Sequence, residues 1–160
     1  MKAFAICFTL ICALSIGFAA NKANFTGTWK LDKDRSFSNP AGLDQTMTIT
    51  HAGDQVKFEA VVITTRGGEQ KVNEAYTLDG KETEFKPQAP PNAAGKHKAS
   101  WLPNGMGLQI HDETFVDGKP VSQVTRKWTL SADGRTMTVD YFFDDQRGSF
   151  ESKRVFNKVE

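Results

Sequence analysis

Phe150, Ser152, Arg154 and Phe156 recur at a spacing of two near the end of the chain. On a β-strand they share one face. If that face turns inward, a guanidinium sits among aromatic rings, where an unpaired charge is costly. An acidic group would satisfy it through paired, charge-assisted hydrogen bonds. The chemistry implied is anchoring of an anion. In the opposite register Glu151, Lys153, Val155 and Asn157 point inward, and Arg154 lies in water. Arg126 shares a face with Val124, Trp128 and Leu130. It offers a second anchor, although a solvent-facing surface pair is the placement favoured for it. Trp128, Tyr141, Phe150 and Phe156 would supply apolar walls around the two arginines.

Other chemistries find little support. His51, His97 and His111 are the only histidines, and no two stand at a metal-ligand spacing. Asp144-Asp145 reads as a solvated loop tip. The sequence holds no G-x-S-x-G, H-E-x-x-H, phosphate loop or G-x-G-x-x-G. The expectation is therefore no metal, no cofactor and no catalytic residue. A barrel enzyme with acid and base drawn from distant strands is the weakest of three readings.

The ends and the charge balance narrow the setting. Lys2 followed by an apolar run to Phe18, closed by Gly17-Phe18-Ala19, has the form of a secretory signal peptide over residues 1–19. Cleavage after Ala19 removes Cys7 and Cys12, the only two cysteines, and leaves residues 20–160 without a disulfide or a thiol. It also leaves no segment fit to span a membrane. Without Lys2, 19 basic residues face 19 acidic ones. A nucleic-acid or membrane-surface partner would call for a basic excess. The expected localisation is secreted or periplasmic.

The elements that must position the arginines are strands. Phe25, Gly27, Trp29 and Leu31 alternate with polar residues, as do Val56, Phe58, Ala60 and Val62. So do Met106, Leu108 and Ile110, and Met137, Val139, Tyr141 and Phe143. Turn signals punctuate the runs at short intervals: Ala52-Gly53-Asp54, Gly67-Gly68, Asp79-Gly80, Asn104-Gly105, Asp117-Gly118, Asp133-Gly134 and Arg147-Gly148. About ten strands are predicted, over 24–32, 44–51, 55–64, 70–78, 81–86, 96–102, 106–116, 119–130, 135–144 and 148–158. Residues 33–43 are expected as a loop or a short helical turn, and the proline-rich 87–95 as an irregular loop. A meander of this kind must hide its edges, and closure into a barrel does so. The predicted fold is one all-β domain over 20–160, an antiparallel up-and-down meander β-barrel of about 8–10 strands.

The opening Asn24-Phe25-Thr26-Gly27-Thr28-Trp29-Lys30-Leu31 resembles the G-x-W motif of lipocalins and the F-x-G-x-W-K-L start of fatty-acid-binding proteins. The ending Arg154-Val155-Phe156 is similar to the R-x-Y of the latter's last strand. The chain also looks like the lipocalin-like proteins of bacterial secretomes. The resemblance covers two short motifs and the layout between them. It implies Gly27 and Trp29 as a structural barrel-closing pair, and Arg154 as a carboxylate anchor or as a cation over the Trp29 ring. Phe156 departs from the family tyrosine, and 33–43 is too short for the helical lid of fatty-acid-binding proteins. The leading expectation is a binding protein for a small, largely apolar ligand with an acidic group. A non-enzymatic envelope or protein-interaction module with a filled barrel is the alternative.

Overall fold

The computed structural model describes residues 22–87 and 90–159. The segment read as a signal peptide lies outside these residues. Ten strands follow in chain order: β1 (Gly27–Phe37), β2 (Asp44–Ala52), β3 (Gln55–Thr64), β4 (Gly68–Thr77) and β5 (Asp79–Phe85) form the first half. The second half is β6 (Ala93–Trp101), β7 (Gly107–Val116), β8 (Lys119–Leu130), β9 (Thr136–Asp145) and β10 (Gly148–Val159). They form one antiparallel sheet in the order β4-β3-β2-β1-β10-β9-β8-β7-β6-β5. Each strand pairs with its chain neighbours, and β1 pairs with β10, so the meander curls round. Only β4 and β5 are consecutive without pairing. The result is an up-and-down barrel closed except at one seam. Side chains fill that seam: the Tyr76 ring lies 4.8 Å from His97, which stacks on Phe85 at 5.3 Å.

Two segments differ from expectation. β1 does not stop at residue 32 but runs to Phe37, with its register against β10 shifted between Asp32 and Phe37. Ser36 supports this irregularity: its hydroxyl donates to the Asp32 carbonyl and accepts from the Val155 amide. Residues 33–37 are therefore strand, followed by a turn, rather than a loop or a short helical turn throughout. The proline-rich loop likewise ends early, because Ala93–Gly95 already belong to β6. Gly95 is required there: a Cβ would stand 2.5 Å from the Phe85 ring.

The inward faces obey the period-two pattern. Ile49, Val56, Leu108, Ile110, Met137 and Val139 are among the fully buried residues. The floor is the end where β1 begins and β10 finishes. Trp29 is wholly buried there and its indole N–H donates to the Phe25 carbonyl at 2.9 Å. The cation over its ring is Lys158, with Nζ 5.4 Å from the centroid, and not Arg154. Register explains the correction, since Trp29 lies opposite Lys158 across the β1–β10 ladder. Gly27 has φ +144, and a Cβ there would lie 2.5 Å from Lys158 Cε. The glycine thus lets the lysine chain cross to the tryptophan, which gives the Gly27/Trp29 pair its structural basis.

His51 completes the floor, its ring lying 5.9 Å from Phe25 and 5.3 Å from Trp101. Its Nδ1 accepts from the Phe25 amide at 3.3 Å, so Nε2 carries the proton and donates to Gly53 O at 3.1 Å. Burial holds its pKa below the ordinary histidine value of 6.5. A depressed histidine contributes stability that is present above its unfolded value and lost as pH falls through the folded one. Thermal melts at pH 7 and 5.5 should therefore show a smaller acid-induced drop in Tm for His51→Gln, which keeps an acceptor and does not titrate. Equal drops in both proteins would remove His51 as the cause.

Candidate functional site

Above the floor the barrel holds a cavity of about 240 Å³. It reaches from Phe58 and Trp128 at mid-height to Gln45, Val62 and Gln70 beside the rim. Its apolar wall comes from Met47 on β2, Phe58, Ala60 and Val62 on β3, Val72 on β4 and Trp128 on β8. Strand alternation aims all of them inward. Against this wall stand Arg154, Arg126, Tyr141, Gln45 and Glu74.

Arg154 does face inward, and its neighbours are uncharged. Nη1 donates to Gln45 Oε1 at 2.9 Å and to the Tyr141 hydroxyl at 3.3 Å, while Nε donates to Asn39 Oδ1 at 3.1 Å. The guanidinium lies 4.4 Å from the Tyr141 ring centroid, within cation–π range. Asn39 sits on the β1–β2 turn and is locked by its amide nitrogen, which donates to the carbonyls of Phe37 and Lys153 at 2.9 Å each. Its oxygen also accepts from Ser152. Arg154 is thus a positioned, half-buried cation with no carboxylate partner among the described residues.

Arg126 is buried, 8% exposed, and the solvent-facing placement is overturned. Its Nη1 donates to Glu74 Oε2 at 2.9 Å. Its Nη2 donates to the Tyr76 hydroxyl and to Asp112 Oδ2, both at 2.6 Å. Tyr76 in turn donates to Glu74. Burial alone would drive the proton from Arg126, but Tyr76, Asp112 and Glu74 hold its pKa well above the ordinary arginine value. Burial pushes the Asp112 carboxyl up, against the pull of Arg126, and raises the Tyr76 hydroxyl. β8 and β4 share no backbone ladder, and the shorter way between them passes the unpaired seam. The Arg126–Glu74 pair links the two strands through the interior, and Arg126 offers its charge to the protein itself.

Four of the six predicted lining residues meet at the cavity: Arg154, Arg126, Trp128 and Tyr141. The other two do not. Phe156 is fully buried in the core below, and Phe150 is 43% exposed, stacked on Phe143 at 4.7 Å. At about 3.3 Å per residue, the face from Phe150 to Phe156 is roughly 20 Å long, more than the cavity's height. Glu74 and Asp112 are the residues sequence reasoning missed. The signal was present: Asp112 continues the inward series Leu108, Ile110, and Glu74 stands between Val72 and Tyr76.

No family model and no curated protein sequence matches the chain. Among solved structures, the barrel is similar to secretory abundant heat soluble protein 4 from Ramazzottius varieornatus, with TM-score 0.52 and 12% identity over 85% of this chain and 95% of that one. It is also similar to zebrafish ileal bile acid-binding protein, solved with cholic acid, with TM-score 0.51 and 18% identity over 84% and 98%. The fatty-acid-binding protein of Manduca sexta aligns with TM-score 0.48 and 14% identity over 84% and 99%. At these identities the likeness is one of architecture: the chain shares the nearly closed, ten-stranded up-and-down β-barrel layout.

Proposed function

We propose that the chain is a secreted or periplasmic binding protein for a small, largely apolar acid. The observation that carries this reading is Arg154, a cation fixed by uncharged partners beside an apolar cavity. Such a group favours an anion that brings the missing charge. The zebrafish neighbour, a bile acid-binding protein solved with cholic acid, supports a ligand inside this architecture. Ligand pockets usually measure about 300–1,000 Å³. The 240 Å³ here therefore favours a short-chain acid. Burial of its chain contributes about 25 cal/mol per Å² of apolar surface.

Titration calorimetry with octanoate tests this. Arg154→Ala should weaken binding by about 10- to 100-fold, the effect of one lost charge-assisted contact. Its melting temperature should fall modestly, because the buried Gln45 oxygen loses its donor, and circular dichroism at the assay temperature checks that the variant is folded. Equal affinity in the two proteins would eliminate Arg154 as the anchor.

A second reading has its own observation. The Arg126–Glu74 pair and the core below leave much of the interior filled, and Phe37 (53%) and Phe150 (43%) are exposed. A chain that takes up no acid at all would be read as a protein-interaction module using those rings.

A further inference from the structure

We propose that Gln45 is a second head-group contact beside Arg154, its amide N–H holding one oxygen of the acid while Arg154 Nη2–H holds the other, and that the cavity thereby selects monoanions. This inference rests on acid binding at Arg154.

Three polar or charged residues are buried among the described residues: Gln45, Arg126 and Ser152. Ser152 spends its hydroxyl on Asn39, and Arg126 spends both terminal nitrogens on Glu74, Tyr76 and Asp112. Gln45 differs. It is 5% exposed and breaks the inward series of β2, where Met47 and Ile49 follow it. Its Oε1 accepts from Arg154 Nη1 at 2.9 Å. That bond orients the amide, because a guanidinium only donates and must face the oxygen. The amide nitrogen is thereby turned away from Arg154, and it has no partner among the described residues.

Arg154 is left with a matching free donor. Nε and Nη1 are spent on Asn39, Gln45 and Tyr141, which leaves Nη2. Neither free nitrogen is walled in: the side-chain donors both sealed off and unpartnered are Arg126 Nε and Trp128 Nε1. Gln45 and Arg154 both point inward and line the cavity, so the space their free nitrogens reach is the cavity and its mouth. Each of these nitrogens is one atom removed from an end of the Nη1···Oε1 contact, so a head group with two oxygens can bridge them. An acid that displaces water from the Gln45 amide must bring an acceptor in its place.

Charge sets the class of head group. Beside the same cavity Arg126 faces the carboxylates of Glu74 and Asp112, one cation against two anions. Arg154 offsets that surplus, and Gln45 adds a donor without adding a charge. A carboxylate or a sulfonate asks for no more. A phosphate monoester carries close to two negative charges above its second pKa of about 6, and the second would find no cation to meet it.

The test is calorimetry on the intact chain at pH 8 with octanoate, octanesulfonate and octyl phosphate, which share one alkyl chain. Both monoanions should bind about 10-fold or more tighter than octyl phosphate. Gln45→Met keeps the length of the side chain without its donor and should weaken octanoate binding about 10-fold. Were Gln45 only a prop for Arg154, its removal would free Nη1 as a further donor, and affinity would hold or rise. The parent protein supplies a second readout, which does not depend on the variant's stability. The Gln45 side-chain amide resonance, identified by its absence from the Gln45→Met spectrum, should exchange with solvent several-fold more slowly once octanoate is bound. Equal octanoate affinity in parent and Gln45→Met, or an amide whose exchange does not change, refutes the Gln45 contact while acid binding at Arg154 stands. Octyl phosphate binding as tightly as the monoanions refutes the charge selection. If no acid binds, or Arg154→Ala binds octanoate as the parent does, the proposal falls together with the reading beneath it.

Discussion

Arg126→Met should destabilise the barrel by about 3–5 kcal/mol, the usual cost of removing one partner of a buried charge group. Methionine fills much of the same volume, so the loss is not chiefly one of packing. Glu74 and Asp112 would remain inside the barrel with no cation, and the Tyr76 hydroxyl would lose a donor. Urea denaturation measures the effect as a lower midpoint with an unchanged slope. The triple variant Arg126→Met, Glu74→Gln, Asp112→Asn should recover most of the loss, since it removes the charges together. The deficit of the single variant should also depend on pH. Asp112 already has a raised pKa, and a raised carboxyl contributes stability that is present at low pH and lost as pH rises through the folded value. The gap between Arg126→Met and the parent should thus widen on going from acid to neutral pH. A loss below about 1 kcal/mol at neutral pH would show that Arg126 does not sit between the two acids.

Trp29→Ala is the second large effect, at about 3–5 kcal/mol. Trp29 is wholly buried, so truncation leaves a large void in the floor. Its removal also strips the Phe25 carbonyl of its donor and leaves Lys158 over an empty floor. Trp29→Phe should lose less, because the ring is retained and only the N–H and part of the volume go. Trp101→Ala offers the comparison: that indole is half-buried and held by Asp54 and Lys22, so its deletion should cost less than that of Trp29. Chemical denaturation of the three variants gives the order. A Trp29→Ala protein as stable as Trp101→Ala would contradict the floor's role.

What could be read in advance follows from what a period of two encodes. It tells which residues share a face, so the strands carrying Val56–Val62, Leu108–Ile110 and Met137–Phe143 were visible from side chains alone. It does not tell which face is inside when a charge interrupts the apolar series. Arg126, between Val124 and Trp128, is such a charge. Asp112, 14 residues away, reaches it across the β7–β8 hairpin, but Glu74, 52 residues away, meets it only once the sheet curls round. Lys158 over Trp29 has the same origin, because that pairing exists only once the last strand meets the first. The extension of β1 to Phe37 escaped notice since Lys33–Ser36 is polar throughout and its support comes from the Ser36 hydroxyl. Spacing puts Arg154 on one face with Ser152 and Phe156 but leaves open whether that face is inward, and its hold by Asn39 and Gln45 depends on a turn whose path the sequence leaves open.

The unpaired boundary between β4 and β5 makes the barrel a cuff with a slit rather than a sealed tube. Around the rest of the circumference, widening the wall must break a ladder of backbone hydrogen bonds. At the slit it need only separate rings, Tyr76 from His97 and its neighbour Phe85. The β4 lip is held from inside instead, by Glu74 and Tyr76, both bound to Arg126 on β8. Compliance of the whole cylinder is therefore concentrated along one line, and one guanidinium acts as its drawstring.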